Sequence, residues 1–181
     1  MAKKRFLIVV DMQKDFIDGA LGTKEAEAIV EAAADYIRAA RRGGATVIAT
    51  LDTHGEDYLS TREGKYLPVT HCVKGTPGWQ LDPAIAEAVE GCLKLEKPTF
   101  GSWELPGLVD IAAGEDEPEF ELIGLCTDIC VVSNAMLLKA FFPESDIRVR
   151  ADLCAGVTPG KHAAALETMR SCQIDVITAE G

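Results

Sequence analysis

No apolar run in the sequence approaches the roughly 20 residues that a membrane-spanning helix requires, so no transmembrane helix is expected. Nor do the first residues read as a secretion signal. Met1-Ala2-Lys3-Lys4-Arg5 is followed by Phe6-Leu7-Ile8-Val9-Val10, but that run ends at Asp11, short of the about seven or more apolar residues and the small-residue cleavage site that a signal needs. The segment reads as a first strand, and the protein as cytoplasmic. Basic residues are scarce: 18 Lys and Arg against 29 Asp and Glu leave a net charge of -11. Such a chain repels phosphate backbones, which argues against a nucleic-acid partner. Glycine-rich phosphate loops are absent, because the first strand runs into Asp11-Met12-Gln13-Lys14-Asp15-Phe16 rather than G-x-G-x-x-G. No P-loop and no G-x-S-x-G elbow occurs, which sets aside nucleotide binding and the serine-hydrolase elbow. Cys126 and Cys130 have no second cysteine pair spaced for a structural zinc finger. Repeats, low-complexity stretches and interdomain linkers are missing too.

What remains is a chain of 181 residues, 48% apolar, enough for one domain with a sizeable core. Its six cysteines are scattered, as expected of reduced thiols rather than a disulfide framework, and most should behave as small buried hydrophobes.

Strand and helix patterns alternate. Residues 6–10 form a continuous apolar run, as a strand covered on both faces requires. Thr23 can cap a helix to Arg42, with Ala26, Ile29, Val30, Ala33, Ile37 and Ala40 on one face and Gly43-Gly44 ending it. Further strands are predicted at 45–51, 92–96, 119–125, 147–151 and 174–178. Helices are predicted after Asp82-Pro83 and over 104–113, 129–142 and 160–171. Residues 52–81 read as one long irregular stretch, and Glu115-Asp116-Glu117 as a solvated loop. This alternation predicts an α/β fold, a single-domain three-layer sandwich with a central, mainly parallel six-stranded sheet and helices on both faces.

Ligands in such folds sit beyond the carboxyl ends of the strands, and the polar residues gather there. Asp11 follows the first strand, Asp52-Thr53-His54 the second and Lys97 the third, and Cys126-Thr127-Asp128-Ile129-Cys130 follows the fourth. Cys130, at a helix start and with an ammonium nearby, has the setting that favours a thiolate, and the amides of that turn can hold an oxyanion. A buried structural thiol is the alternative, and spacing leaves both open. Asp11 alone can be a cap, and Lys97 alone a solvated charge. Asp52, His54, Glu63 and His71 are side chains of the kind that bind zinc, manganese or iron, or else belong to a hydrated loop. His162, the third histidine, reads as a surface residue.

Two stretches resemble the isochorismatase-like cysteine hydrolases: Val9-Val10-Asp11-Met12-Gln13-Lys14-Asp15-Phe16 is similar to their opening motif, and Gly124-Leu125-Cys126-Thr127-Asp128-Ile129-Cys130-Val131 to their nucleophile motif. Lys97 matches their lysine, and the resemblance runs from about residue 5 to residue 178. It implies a triad of Asp11, Lys97 and Cys130, an oxyanion hole from the amides of Cys126 and Cys130, and a cis peptide at Leu125–Cys126. The loop carrying Asp52, His54, Glu63 and His71 resembles the metal loop of the nicotinamidase (pyrazinamidase) branch. There one divalent ion per chain, zinc first and iron or manganese as alternates, holds the pyridine nitrogen. That resemblance implies hydrolysis of nicotinamide to nicotinate and ammonia through a cysteine thioester. Phe16 matches an aromatic wall of the substrate site, and Phe100 and Trp103 are placed beside it. The aromatic residue commonly found three positions before the second histidine is Pro68 here, next to Tyr66 and Leu67. A small amide substrate and a homo-oligomer are the partners implied. Two other readings remain: a relative acting on another small amide, carbamoyl compound or vinyl ether, and an inactive binding protein of the same fold.

Overall fold

A computed structural model describes residues 2–179. Six strands, β1 (Lys3–Val10), β2 (Thr46–Asp52), β3 (Leu93–Lys97), β4 (Glu117–Leu125), β5 (Ile147–Ala155) and β6 (Asp175–Ile177), form one sheet in the order β3-β2-β1-β4-β5-β6. Every pairing is parallel, so the sheet is wholly rather than mainly parallel. The chain winds outward from β1 through β2 to β3, then returns to the other side of β1 for β4. The sheet therefore opens a crevice between the carboxyl ends of β1 and β4, the usual ligand position in open α/β sheets.

Period-two alternation sorts the side chains of β1. Leu7 and Val9 face one layer and Phe6, Ile8 and Val10 the other. The first layer holds α1 (Lys14–Ile17), α2 (Lys24–Arg42) and α4 (Pro83–Ala88), and the second holds α5 (Glu104–Ala113), α6 (Val132–Phe141) and α7 (Pro159–Ser171). The short α3 (Arg62–Tyr66) lies in the loop after β2. α2 forms as its caps dictate. Thr23 Oγ1 accepts from Ala26 N at 3.1 Å, and Gly44 leaves the helix at φ +83°. The buried Val30 and Ile37 each contribute about 1.5–3 kcal/mol through removal from water.

Several boundaries differ from those expected. β1 begins at Lys3 because Lys3–Arg5 pair with Glu117–Glu119, which also draws Glu117 out of the expected loop and into β4. β5 continues past Ala151 to Ala155, since a register shift opposite Leu122–Gly124 lets Cys154 pair with Gly124, as at a β-bulge. Residues 52–81 are not structureless: a 3-10 turn at Tyr58–Ser60, then α3, and a second 3-10 turn at Pro77–Trp79 hold them in shape. The helix expected over 129–142 is a π-helical turn, Thr127–Val131, followed by α6. No helix of the described residues is long and apolar enough to cross a membrane.

Candidate functional site

Asp11 is the first residue beyond β1 and is fully buried, with a left-handed backbone at φ +46°. That turn aims its carboxylate across the crevice. Oδ1 accepts from Thr50 Oγ1 at 2.6 Å, and Oδ2 pairs with Lys97 Nζ at 2.6 Å. Oδ2 makes no other hydrogen bond, so it keeps a lone pair facing the site. Lys97, the last residue of β3, is equally buried. Its ammonium also donates to the Thr99 carbonyl at 2.9 Å and lies 3.3 Å from Asp52 Oδ1 and 3.5 Å from Cys130 Sγ. The structure thus brings Asp11, Lys97 and Cys130 together from three segments far apart in sequence.

Glycine at position 124 makes this convergence sterically feasible. At φ +118°, a side chain there would collide with the Val10 carbonyl oxygen, so β4 can lie against β1 only without a Cβ. The Leu125–Cys126 peptide is cis. In the turn that follows, the Cys126 carbonyl accepts from Ile129 N at 3.0 Å and Val131 N at 3.1 Å, stepping over the Cys130 amide.

The electrostatics correct one expectation. Burial, then the Asp11 charge, pushes the Cys130 thiol well up, and Lys97 opposes both without reversing them. These influences favour the neutral thiol of Cys130 over its thiolate. Burial also raises the Asp11 carboxyl, against the pull of Lys97. Burial works against the Lys97 charge too, but Asp11, Cys130 and Asp52 outweigh it and the ammonium is stabilised.

Beside this cluster, Asp52, His54, Glu63 and His71 turn one ligand atom each to a common point, all within 4.8 Å of one another. His54 Nε2 lies 2.9 Å from Asp52 Oδ2 and 3.7 Å from Glu63 Oε1, while His71 Nε2 lies 3.5 Å and 3.7 Å from the same two atoms. His71 Nδ1–H donates to the Val69 carbonyl at 2.8 Å, which fixes the tautomer and turns the bare Nε2 inward, the outer-shell device of metal-binding histidines. Two carboxylates and two imidazoles suit a divalent ion such as zinc. Burial and the neighbouring Asp52 raise the Glu63 carboxyl, a proximity that a cation would relieve. Tyr58, fully buried, packs edge-on against both histidine rings at 4.8 and 4.9 Å.

A cavity of about 710 Å³ opens over both clusters, and Cys126, Cys130, Asp52, Glu63 and His71 reach its wall. Phe16 lines it, with its ring 5.5 Å from that of His71, and Phe100 lines it as well. Trp103 does not. It is 79% exposed and outside the cavity, just after Ser102, whose N–H donates to Asn134 Oδ1 at 3.0 Å. Leu67 and Tyr66 line the cavity near the exposed Pro68. His162 is not a surface residue either. It is half-buried with its Nδ1 2.8 Å from Thr127 Oγ1, and burial lowers its pKa.

Sequence reasoning missed the residues that hold the site in place. Gln13 is fully buried, and its Nε2 donates to the carbonyls of Asp52 and Trp79, both at 2.8 Å, while Oε1 accepts from Asp52 N at 2.7 Å. One side chain thereby ties the ends of β1 and β2 together. Asn134 Nδ2 donates to the Cys130 carbonyl at 2.8 Å. Gln13 lies within the opening motif, which could have marked it, and Asn134 could have been marked only by its uncharged polarity in the apolar run of 129–142.

The nicotinamidase/pyrazinamidase of Mycobacterium tuberculosis is 30% identical to this chain over 192 aligned residues, spanning 96% of this chain and 98% of that protein. The pyrazinamidase of Pyrococcus horikoshii, solved in complex with zinc, superposes with a TM-score of 0.81 at 28% identity, covering 97% of this chain and 99% of its own. The N-carbamoylsarcosine amidase of Thermoplasma acidophilum superposes with a TM-score of 0.77 at 28% identity, covering 98% of both chains. The family model described as the isochorismatase domain matches residues 5–181; with the buried Asp–Lys–Cys cluster at the switch point of the sheet, this places the chain in the isochorismatase family.

Proposed function

We propose that this protein is a nicotinamidase: a hydrolase that converts nicotinamide to nicotinate and ammonia through a thioester on Cys130. The observation that carries the reading is the buried contact of Lys97 Nζ with Asp11 Oδ2 at 2.6 Å and with Cys130 Sγ at 3.5 Å, in the wall of a cavity that the four-residue donor cluster shares.

The chemistry follows from the proton positions. Asp11 takes the Cys130 proton as Sγ attacks the carboxamide carbon. The Cys126 and Cys130 amides hold the resulting oxyanion. Asp11 returns that proton to the nitrogen as the C–N bond breaks, and ammonia leaves. Water then adds to the thioester, giving a proton to Asp11, and the acid departs as Sγ is released and reprotonated. Lys97 keeps a positive charge beside Asp11 and Sγ throughout, so two anionic groups never face each other unscreened. Asp52, His54, Glu63 and His71 would hold one divalent ion, zinc first. When bound, it supplies a Lewis-acid position for the lone pair of a pyridine nitrogen. Phe16 would bound the ring.

The test is ammonia release from nicotinamide by the purified protein, with bound metal quantified on the same sample. Turnover with about one metal per chain supports the reading. Turnover of N-carbamoyl amino acids in preference to nicotinamide would support the second reading, to which the likeness to the Thermoplasma amidase points. Absence of any amide turnover in a metal-loaded sample would overturn both.

A further inference from the structure

The cavity is far larger than the proposed reaction requires. At about 710 Å³, it falls in the range that holds drug-sized ligands, about 300–1,000 Å³, whereas nicotinamide is a single six-membered ring with a carboxamide. Much of its wall belongs to residues with no part in the chemistry: Leu21, Tyr66, Leu67, Phe100, Ile129 and Val157. These come from separate segments of the chain and, apart from the Tyr66 hydroxyl, are apolar.

A second observation points the same way. Tyr66 is 79%, Phe100 43% and Val157 40% exposed, and all three line this one cavity. Apolar side chains scattered singly over a surface need no explanation, but a cluster around a concave site marks a ligand or partner surface. Here Cys130 lies in the same wall, so an occupant that fills the cavity also presents itself to the nucleophile. That continuity argues for a substrate rather than a second polypeptide.

Resting on the nicotinamidase reading, we infer that the site accepts ring amides carrying a further apolar group of about ring size, held against Tyr66, Phe100 and Val157. Position 5 of nicotinamide is meta to both the ring nitrogen and the carboxamide, so a group placed there leaves both anchors free.

The experiment compares kcat/KM for nicotinamide and 5-phenylnicotinamide with the metal-loaded protein, and repeats it with Val157→Trp, a change at an exposed position that fills the cavity. The expected result is a ratio within about tenfold for the native protein, widening by about a further tenfold in the variant. Turnover of nicotinamide with a loss of more than about a hundredfold for the phenyl compound would overturn the inference and leave the nicotinamidase reading intact. A ratio that Val157→Trp does not change would also overturn it, because the added group would then lie elsewhere. Turnover of neither amide would overturn both.

Discussion

Two buried or half-buried ion pairs of this fold, Arg150–Asp152 and Lys97–Asp11, differ in whether the charges around them are matched. Around Arg150, the guanidinium donates to both carboxylate oxygens of Asp152 at 2.9 and 2.7 Å, stacks 4.4 Å from the Tyr36 ring centroid, and Tyr36 hydrogen-bonds Glu121. Both charges of the Arg150–Asp152 pair are stabilised: their hydrogen bond raises Arg150 and lowers Asp152. Around Lys97, one ammonium serves Asp11, Asp52 and Cys130, and burial raises both the Asp11 carboxyl and the Cys130 thiol. The first cluster holds the structure. On the proposed mechanism, the second keeps a proton on Cys130 with Asp11 beside it as acceptor, so that the proton can move. A matched pair strengthens a fold, whereas a cluster short of positive charge is poised for proton transfer.

The contrast can be broken most sharply at the nucleophile. Cys130→Ala should lower ammonia release by about 10⁴-fold or more, the scale on which losing a nucleophile falls, while metal content and the unfolding midpoint hold. Retained turnover would assign the attack to another group. Lys97→Met should lower kcat by about 10³-fold and cost about 3 kcal/mol in urea unfolding, because it strands buried carboxylates without their cation. A variant as stable as the native protein would mean that Asp11 is already protonated at rest.

Thr50→Val sharpens the comparison through pH. The Thr50 hydrogen bond lowers the Asp11 pKa against burial; without it the carboxyl rises further. Asp11 must be ionised to accept the thiol proton, so activity fails as pH falls through its pKa. The acid limb of kcat/KM should therefore move upward, by about 0.5–1 pH unit for one lost hydrogen bond. A downward shift would contradict the proton assignment. The smallest effect on turnover belongs to the matched cluster. Arg150→Met should cost about 2 kcal/mol of stability and leave kcat/KM unchanged; a fall in kcat/KM would show that the two clusters communicate.

The contrast also explains how much was legible in the sequence. β1 and α2 were readable because burial there imposes a period on many consecutive residues. Asp11, Lys97 and Cys130 were each ambiguous alone; their shared position at strand ends drew them together, and the resemblance to the isochorismatase-like hydrolases implied the triad. The interior of residues 52–81 was opaque because its order comes from single contacts, such as the Tyr58 hydroxyl donating to the Leu67 carbonyl at 2.9 Å, which carry no periodicity. Gln13 was passed over for the same reason, since a clamp made of one side chain looks like any polar residue. Trp103 was placed beside the site on its nearness to Lys97 in sequence, and nothing in the local sequence shows that its side chain lies outside the cavity.

The backbone of Asp11 has a consequence for how the buried charge is kept. An aspartate held at φ +46° costs about 1 kcal/mol relative to a glycine in the same place, and its desolvated carboxyl adds to that cost. Glycine at position 11 would release that strain but leave the buried Lys97 ammonium without its carboxylate at 2.6 Å, a larger loss, so the strained turn is the cheaper way to keep a cation in this interior.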